Sequence, residues 1–377
     1  MSAEDHRSRM PVVPITGIDA VLRDALVADM MLDLPRAVEV RYDVDTDLGA
    51  LRRLVVGPAG IREDVEVDMD HPCVSCAMRE DAIPVLDRLA EDPRVEAVLL
   101  APPISADPSI VAGTLRGHER LWSLRTPVAV LSARSARHDL LGDDTLAERG
   151  LRWAADDHRS VGEALAAQIE YSELIVIDGE DGGDRGGIDR DCAAGLELIE
   201  HLRAPDQLLA LSLHDLDVDV VLGGRLDHEA GLRRRDPREV RPYGGPTAHG
   251  TWTLELSSAR PFHPRRFLDR IEDLGSGRMR GRGCFWVPDR PDSVCQWDGA
   301  GGQVSVGVVA AAGHDLPSTH LVITGVDAAD APRVRRAFAH CLLTQEEWRA
   351  GLSSWLGVPD VLAPWLGERE PAQRRSA

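Results

Sequence analysis

The sequence contains no lysine: all 43 of its basic residues are arginine. A phosphate-loop GTPase or ATPase sets a lysine ammonium on the terminal phosphates, so that class in its usual form is excluded. Schiff-base and lysine-base chemistry is excluded with it, because arginine stays protonated and offers no tunable amine. We take so complete a bias as a mark of GC-rich codon usage and assign it no function of its own. No apolar run approaches the roughly 20 residues that cross a bilayer. The N-terminal MSAEDHRSRM lacks both the basic start and the apolar stretch of a secretory signal. A cytosolic protein without membrane contact is the expectation. Cysteine is sparse, six in 377 residues at uneven spacing, which is no disulfide framework. A net charge of −20 counts against DNA binding and confines any RNA contact to a local basic patch.

What is present is enough apolar sequence, 43% of residues, for two domains with separate cores. After a polar tail at 1–10, VVPITG, AVEVRYDV, EAVLLAPP, TPVAVLSA and SELIVIDG are short apolar runs separated by segments of helical periodicity. Strands alternating with helices predict an α/β domain over 11–222, with a parallel sheet covered on both faces. Residues 223–250 are rich in Gly, Arg, Asp and Pro and carry no apolar period, which predicts a linker. TWTLELSS, PRRFLDRIEDL, GCFWVPD, QVSVGVVA and THLVITGV then predict a smaller α+β domain over 251–366 with an antiparallel sheet. A helical stretch at 334–356 precedes a polar tail at 367–377, for which disorder is expected.

The strongest local signal is HPCVSCAMRED, at 71–81. Cys73 and Cys76, three apart, can reach one metal ion, and a helix starting there lowers the pKa of thiols at its N-terminus. Two thiolates do not complete a tetrahedral zinc site, so His71, Asp70, Asp68 or a carboxylate from elsewhere would have to join them. The competing reading is two small residues packing beneath a loop.

In context the segment resembles the cysteine motif of CobW-type GTP-dependent metallochaperones, in which CxCC precedes an arginine, an acidic pair and a helix. Here Ser75 stands at the middle cysteine, while Arg79, Glu80 and Asp81 match. PVVPITGIDAVLRDAL resembles that family's first strand and phosphate loop, AVLLAPPISADP its second acidic motif, and QIEYSELIVIDGED the strand leading to its guanine-reading NKxD. RPFHPRRF, RGRGCFW and CLLTQEEW are similar to three signatures of the CobW C-terminal domain. The resemblance implies a phosphate-loop-GTPase-like first domain and zinc as the metal.

The departures from the family pattern fall on the nucleotide site. Gly17 remains, but Leu22, Arg23 and Asp24 stand where GKT would cradle phosphate and hold magnesium, and Asp24 would repel a phosphate. Ala101 replaces a carboxylate, with Pro103 and Ile104 in the turn after it. Asp178 to Asp181 replace NKxD, leaving only Asp181. Such losses predict no bound nucleotide and no hydrolysis. They resemble the phosphate-loop-deficient, CVSC-carrying actinobacterial branch of the family. That likeness implies a zinc-responsive adaptor, in part ribosome-associated, working on the small ribosomal subunit with a protein-Y-type hibernation factor when zinc is scarce. The alternative is a zinc metallochaperone driven by GTP through a non-standard pocket in which Arg23 meets the phosphate. For an RNA contact the candidates are Arg233, Arg234, Arg235, Arg265, Arg266, Arg280 and Arg282. The competing reading is a solvated surface paired with Asp236, Glu239, Asp269 and Glu272.

Overall fold

A computed structural model describes residues 9–45, 50–68, 73–179, 189–214, 216–311 and 317–368. The expected tails thus lie mostly outside the described residues. The chain divides into two units, 1–235 and 236–377.

The first unit is built on a nine-stranded mixed sheet. Its strands are β1 (Met10–Thr16), β2 (Ala37–Asp45), β3 (Ala50–Gly57), β4 (Gly60–Val67), β5 (Ala97–Ala101), β6 (Trp122–Leu124), β7 (Val128–Ser132), β8 (Leu174–Asp178) and β9 (Leu208–Ala210). The order is β4-β3-β2-β5-β1-β7-β8-β9, with β6 paired to β1. From β2 to β9 the neighbours run parallel, as the alternation of strands and helices predicts, while β3 and β4 add an antiparallel hairpin at one edge. This hairpin was not legible in the sequence, because β4 is almost wholly exposed and its charges hide a strand pattern.

Helices cover both faces of the parallel strands, so β1 and β5 are apolar on both sides and lie almost entirely at zero exposure. On one face α1 (Ala20–Asp33) packs Leu22, Leu26 and Met30 against Val13, Ile15 and Leu99. On the other lie α2 (Val74–Ala77), a π turn at Met78–Ala82, α3 (Ile83–Glu91) and α4 (Pro108–Leu115), against Val12, Val38, Val40 and Val98. Further along are α5 (Ala136–Leu141), α6 (Val161–Tyr171), α7 (Arg190–Leu202), α8 (Val218–Gly223) and α9 (His228–Arg235).

The helix α9 corrects the expected linker. Residues 228–235 are helical and belong to the first unit, where Gly231 packs so close to the Tyr171 ring that a Cβ would sit 2.7 Å from it. An arginine-rich helix of low apolar content shows no period, and its anchoring is polar: Arg234 donates to the backbone oxygens of Glu170 and Tyr171 at 3.1 and 2.7 Å.

The second unit is a five-stranded antiparallel sheet in the order β10-β14-β11-β12-β13. The strands are β10 (Trp252–Ser258), β11 (Met279–Phe285), β12 (Ser293–Ala300), β13 (Gln303–Ala311) and β14 (Thr319–Gly325), joined by α10 (Pro264–Gly275), α11 (Asp330–Cys341) and α12 (Gln345–Arg349). Strand β12 went unread in the sequence. The expected helix at 334–356 is broken at Leu342–Thr344, where Thr344 caps α12 through a reciprocal bond with Glu347. All four phenylalanines of the chain meet in this unit's core, where Phe262 stacks on Phe267 and Phe285 while Phe338 and Trp297 pack edge-to-face.

Candidate functional site

Strand β2 has two chemically different faces, as the alternation of a strand requires. Val38, Val40 and Tyr42 enter the core beneath the cysteine helix, while Glu39, Arg41 and Asp43 alternate with them and build an ionic cluster with α1. The sequence AVEVRYDV displays this alternation.

On the first face, Cys73 is the extended residue before α2, and its carbonyl accepts the first helical bond, from Ala77 N at 2.9 Å. The two thiols are half-buried. The Ser75 hydroxyl, 3.4 Å from Cys73 Sγ, and then the Cys76 backbone N–H hold the Cys73 pKa down to about 7. Cys76 is pushed up, chiefly by its hydrogen bond to Cys73.

The helix is tied to the sheet by Asp81, the last of the three matching motif residues. Its carboxylate accepts from Tyr42 Oη at 2.7 Å and pairs with Arg53, which also pairs with Glu63 at 3.0 Å. Glu63 in turn pairs with Arg88 on α3 at 2.6 Å. Arg79 and Glu80 are exposed. A π turn running through Arg79, Glu80 and Asp81 is a known accompaniment of functional positions in helices.

Of the predicted ligands, His71 and Asp70 lie outside the described residues. Among the described residues no group of three or more His, Cys, Asp or Glu is placed to hold a metal ion. The donors in place are two thiols, which suit zinc chemically and supply half of a tetrahedral shell.

The second face carries the segment that resembles a phosphate loop. The helix α1 already starts at Ala20, so Leu22, Arg23 and Asp24 are helical rather than part of a loop. Asp19 accepts from the backbone N–H groups of Val21 and Leu22 at 2.9 and 3.1 Å, the groups that would face an anion at a helix N-terminus. Arg23 is 1% exposed. Its guanidinium donates to Pro102 O at 3.0 Å and Asp24 at 2.9 Å, with Asp43 at 3.4 Å. Asp24 also pairs with Arg41 at 2.6 Å, and Arg41 with Asp43 at 3.2 Å. Burial raises the pKa of Glu39, the third carboxylate here. Two arginines therefore meet three carboxylates.

Gly17 has a packing reason to be glycine, since a Cβ there would lie 2.7 Å from Val130 O. Ala101 ends β5 at zero exposure, and Asp178 ends β8. Asp181 lies outside the described residues. The sequence reading missed Asp43 and Pro102 as partners of Arg23, Arg41 as the second cation on Asp24 and Asp43, and Tyr42, Arg53 and Glu63 as the tether of the cysteine helix. Only the charge alternation in β2 could have signalled them.

The arginines proposed for RNA contact are corrected by their partners. Arg234 is bonded to α6 and pairs with Asp206 at 2.7 Å; Arg235 pairs with Asp107 at 2.8 Å. In the second unit, Arg266 pairs with Glu347 at 2.6 Å and donates to Leu342 O at 3.0 Å, so RPFHPRRF is bonded to CLLTQEEW. Arg280 is 4% exposed and paired with Asp298. Buried or paired guanidiniums hold these elements together rather than face a phosphate. Arg282 is half-buried, and only Arg233 and Arg265 of the seven are exposed.

Residues 251–342 match the family model of the cobalamin synthesis protein CobW C-terminal domain. The chain is 21% identical over 334 residues to the zinc-regulated GTPase metalloprotein activator 1 of Dictyostelium discoideum, covering 77% of this chain and 68% of that protein. It is 27% identical over 316 residues to a zinc chaperone of Mycobacterium tuberculosis, covering 79% and 73%. The crystal structure of the Zn(II)-bound YjiA GTPase from E. coli aligns with 89% of this chain and 99% of its own at 14% identity, with a TM-score of 0.34. At that distance it carries no site residue across. The antiparallel sheet of β10 to β14 and the helices against it are thus, over residues 251–342, a CobW C-terminal domain.

Proposed function

We propose that this chain is a zinc-handling protein of the metallochaperone type, which takes up Zn(II) as cargo at Cys73 and Cys76 and works without hydrolysing GTP. The observation that carries the zinc half is the thiol pair itself: adjacent, half-exposed, at the start of a helix tethered through Asp81. The names of the relatives from Dictyostelium and Mycobacterium support it. Two protein thiolates leave coordination positions for a donor or acceptor of zinc, which suits exchange better than permanent storage. His71 is the first further ligand to test.

The non-hydrolysing half rests on the Arg23 cluster. An incoming triphosphate would have to displace Asp24 and Asp19, both anionic, from the cations and N–H groups it needs. This reading disfavours the GTP-driven version of a metallochaperone, whose Arg23 would have to be available. Zinc absorption spectroscopy on the loaded full chain should show sulfur neighbours at about 2.3 Å, and a fluorescent GTP analogue should not bind saturably. A zinc shell of oxygen and nitrogen alone would refute the site, and micromolar GTP binding would refute the closed pocket.

The second reading keeps zinc as the signal and adds an adaptor role on the small ribosomal subunit beside a protein-Y-type hibernation factor. Arg233 in the first unit and Arg265 in the second are the exposed members of the seven candidate arginines, and they are what supports it. Sedimentation of lysates from zinc-starved cells tests it: co-migration with the small subunit supports the adaptor, and recovery only in the free fraction removes it.

A further inference from the structure

We propose that Cys73 and Cys76 also form a two-electron redox couple, which a peroxide closes to a disulfide and which in that form takes up no Zn(II). The zinc arm of this inference rests on the reading above; the redox arm rests on the thiols alone.

The geometry suits a disulfide. Residues three apart across the first turn of a helix have Cα atoms about 5–6 Å apart, inside the range that a disulfide spans. The bond from Ala77 N to Cys73 O at 2.9 Å fixes that turn, which sets both thiols at the same end of α2. Accessibility makes the pair selective. Cys192, Cys284, Cys295 and Cys341 are buried, while Cys73 and Cys76 are half-exposed. The serine at the middle position makes the pairing unique. A third thiol at residue 75 would offer a competing partner, whereas Ser75 offers a hydroxyl 3.4 Å from Cys73 Sγ.

The chemistry balances with a peroxide as oxidant. The Cys73 sulfur attacks the peroxide oxygen, the O–O bond breaks, and an alcohol or water leaves, giving a sulfenic acid. The Cys76 sulfur then attacks the Cys73 sulfur, the S–O bond breaks and water departs, taking the Cys76 proton. A thiol reductant reverses the closure through a mixed disulfide. Disulfide sulfurs have no thiolate charge to offer a metal, so oxidation and zinc uptake exclude one another.

The test uses the full chain, stripped of metal and treated with hydrogen peroxide, then denatured and alkylated. Expected are a fall in alkylated cysteines from six to four, a peptide linked between residues 73 and 76, recovery with dithiothreitol, and protection by Zn(II) added first. In Cys76→Ser, a dimedone adduct should accumulate on Cys73. Six alkylated cysteines after peroxide, a linkage elsewhere, or irreversible sulfinic acid at Cys73 in the unsubstituted chain would overturn the couple. Disulfide formation without any zinc protection would instead contradict the shared site while leaving the redox chemistry standing. Thiols inert to peroxide that still bind zinc would do the reverse.

Discussion

At the scale of single residues, Cys73 and Arg23 are set by their partners rather than by their type. A thiol lowered to about 7 by the Ser75 hydroxyl and the Cys76 N–H gains thiolate as pH rises through neutrality. Iodoacetamide labelling of Cys73 should therefore reach half its plateau rate near pH 7, and Ser75→Ala should move that midpoint upward; a midpoint near 9 in the unsubstituted chain would contradict the assignment. Arg23 invites repair to lysine because lysine is what a phosphate loop carries. The structure predicts that Arg23→Lys stays inactive towards GTP, since Asp19 and Asp24 still close the site. Arg23→Ala should cost about 2 kcal/mol by chemical denaturation, less than a fully buried pair broken from one side, because Asp24 and Asp43 are partly exposed and both keep Arg41. The sequence displayed the loss of the phosphate-loop residues. It could not display what meets the Arg23 guanidinium, because Asp43 lies on β2 and Pro102 just past the end of β5, both distant in the chain.

At the scale of elements, β2 is the member shared by both halves of the candidate site. Its alternation sends Tyr42 to Asp81 beneath the cysteine helix and Arg41 to Asp24 on α1. Tyr42→Phe leaves the ring packed but removes one bond from Asp81, so a destabilisation of about 1 kcal/mol is expected. Amide exchange at 74–82 should quicken more than in α1, and equal change in both helices would count against the tether. In the second unit the bond between α10 and α12 makes a pH prediction. Arg266 holds the Glu347 carboxyl down to about 2, below its ordinary 4.5. Such a depressed acid stabilises the fold above about pH 4.5 and ceases to as pH falls towards 2. Glu347→Gln should lower stability at pH 7 by about 1–2 kcal/mol, a charged bond discounted for partial exposure, and the difference should vanish near pH 2. An unchanged difference across that range would assign the loss to packing instead.

At the scale of the molecule, the architecture was legible wherever burial wrote a pattern. The apolar runs at β1, β2, β5, β7 and β8 announced a parallel sheet, and the antiparallel second sheet followed from TWTLELSS and THLVITGV. The β4 arm of the β3–β4 hairpin escaped because it is solvated and charged, and α9 because arginine bonds rather than apolar faces secure it. The basic residues misled for the opposite reason. In a chain whose only long cation is arginine, that residue takes over internal pairing, so clusters such as Arg233 to Arg235 say little about an external anion.

In the proposed function Cys73 and Cys76 bind the zinc. Equilibrium titration of the reduced full chain with Zn(II) against a chromogenic chelator tests it most directly, comparing the unsubstituted protein with the Cys73→Ser, Cys76→Ser double variant. One equivalent of zinc bound by the first and none at that affinity by the second is the expected outcome, with unchanged circular dichroism. Equal zinc uptake by the two proteins would contradict it.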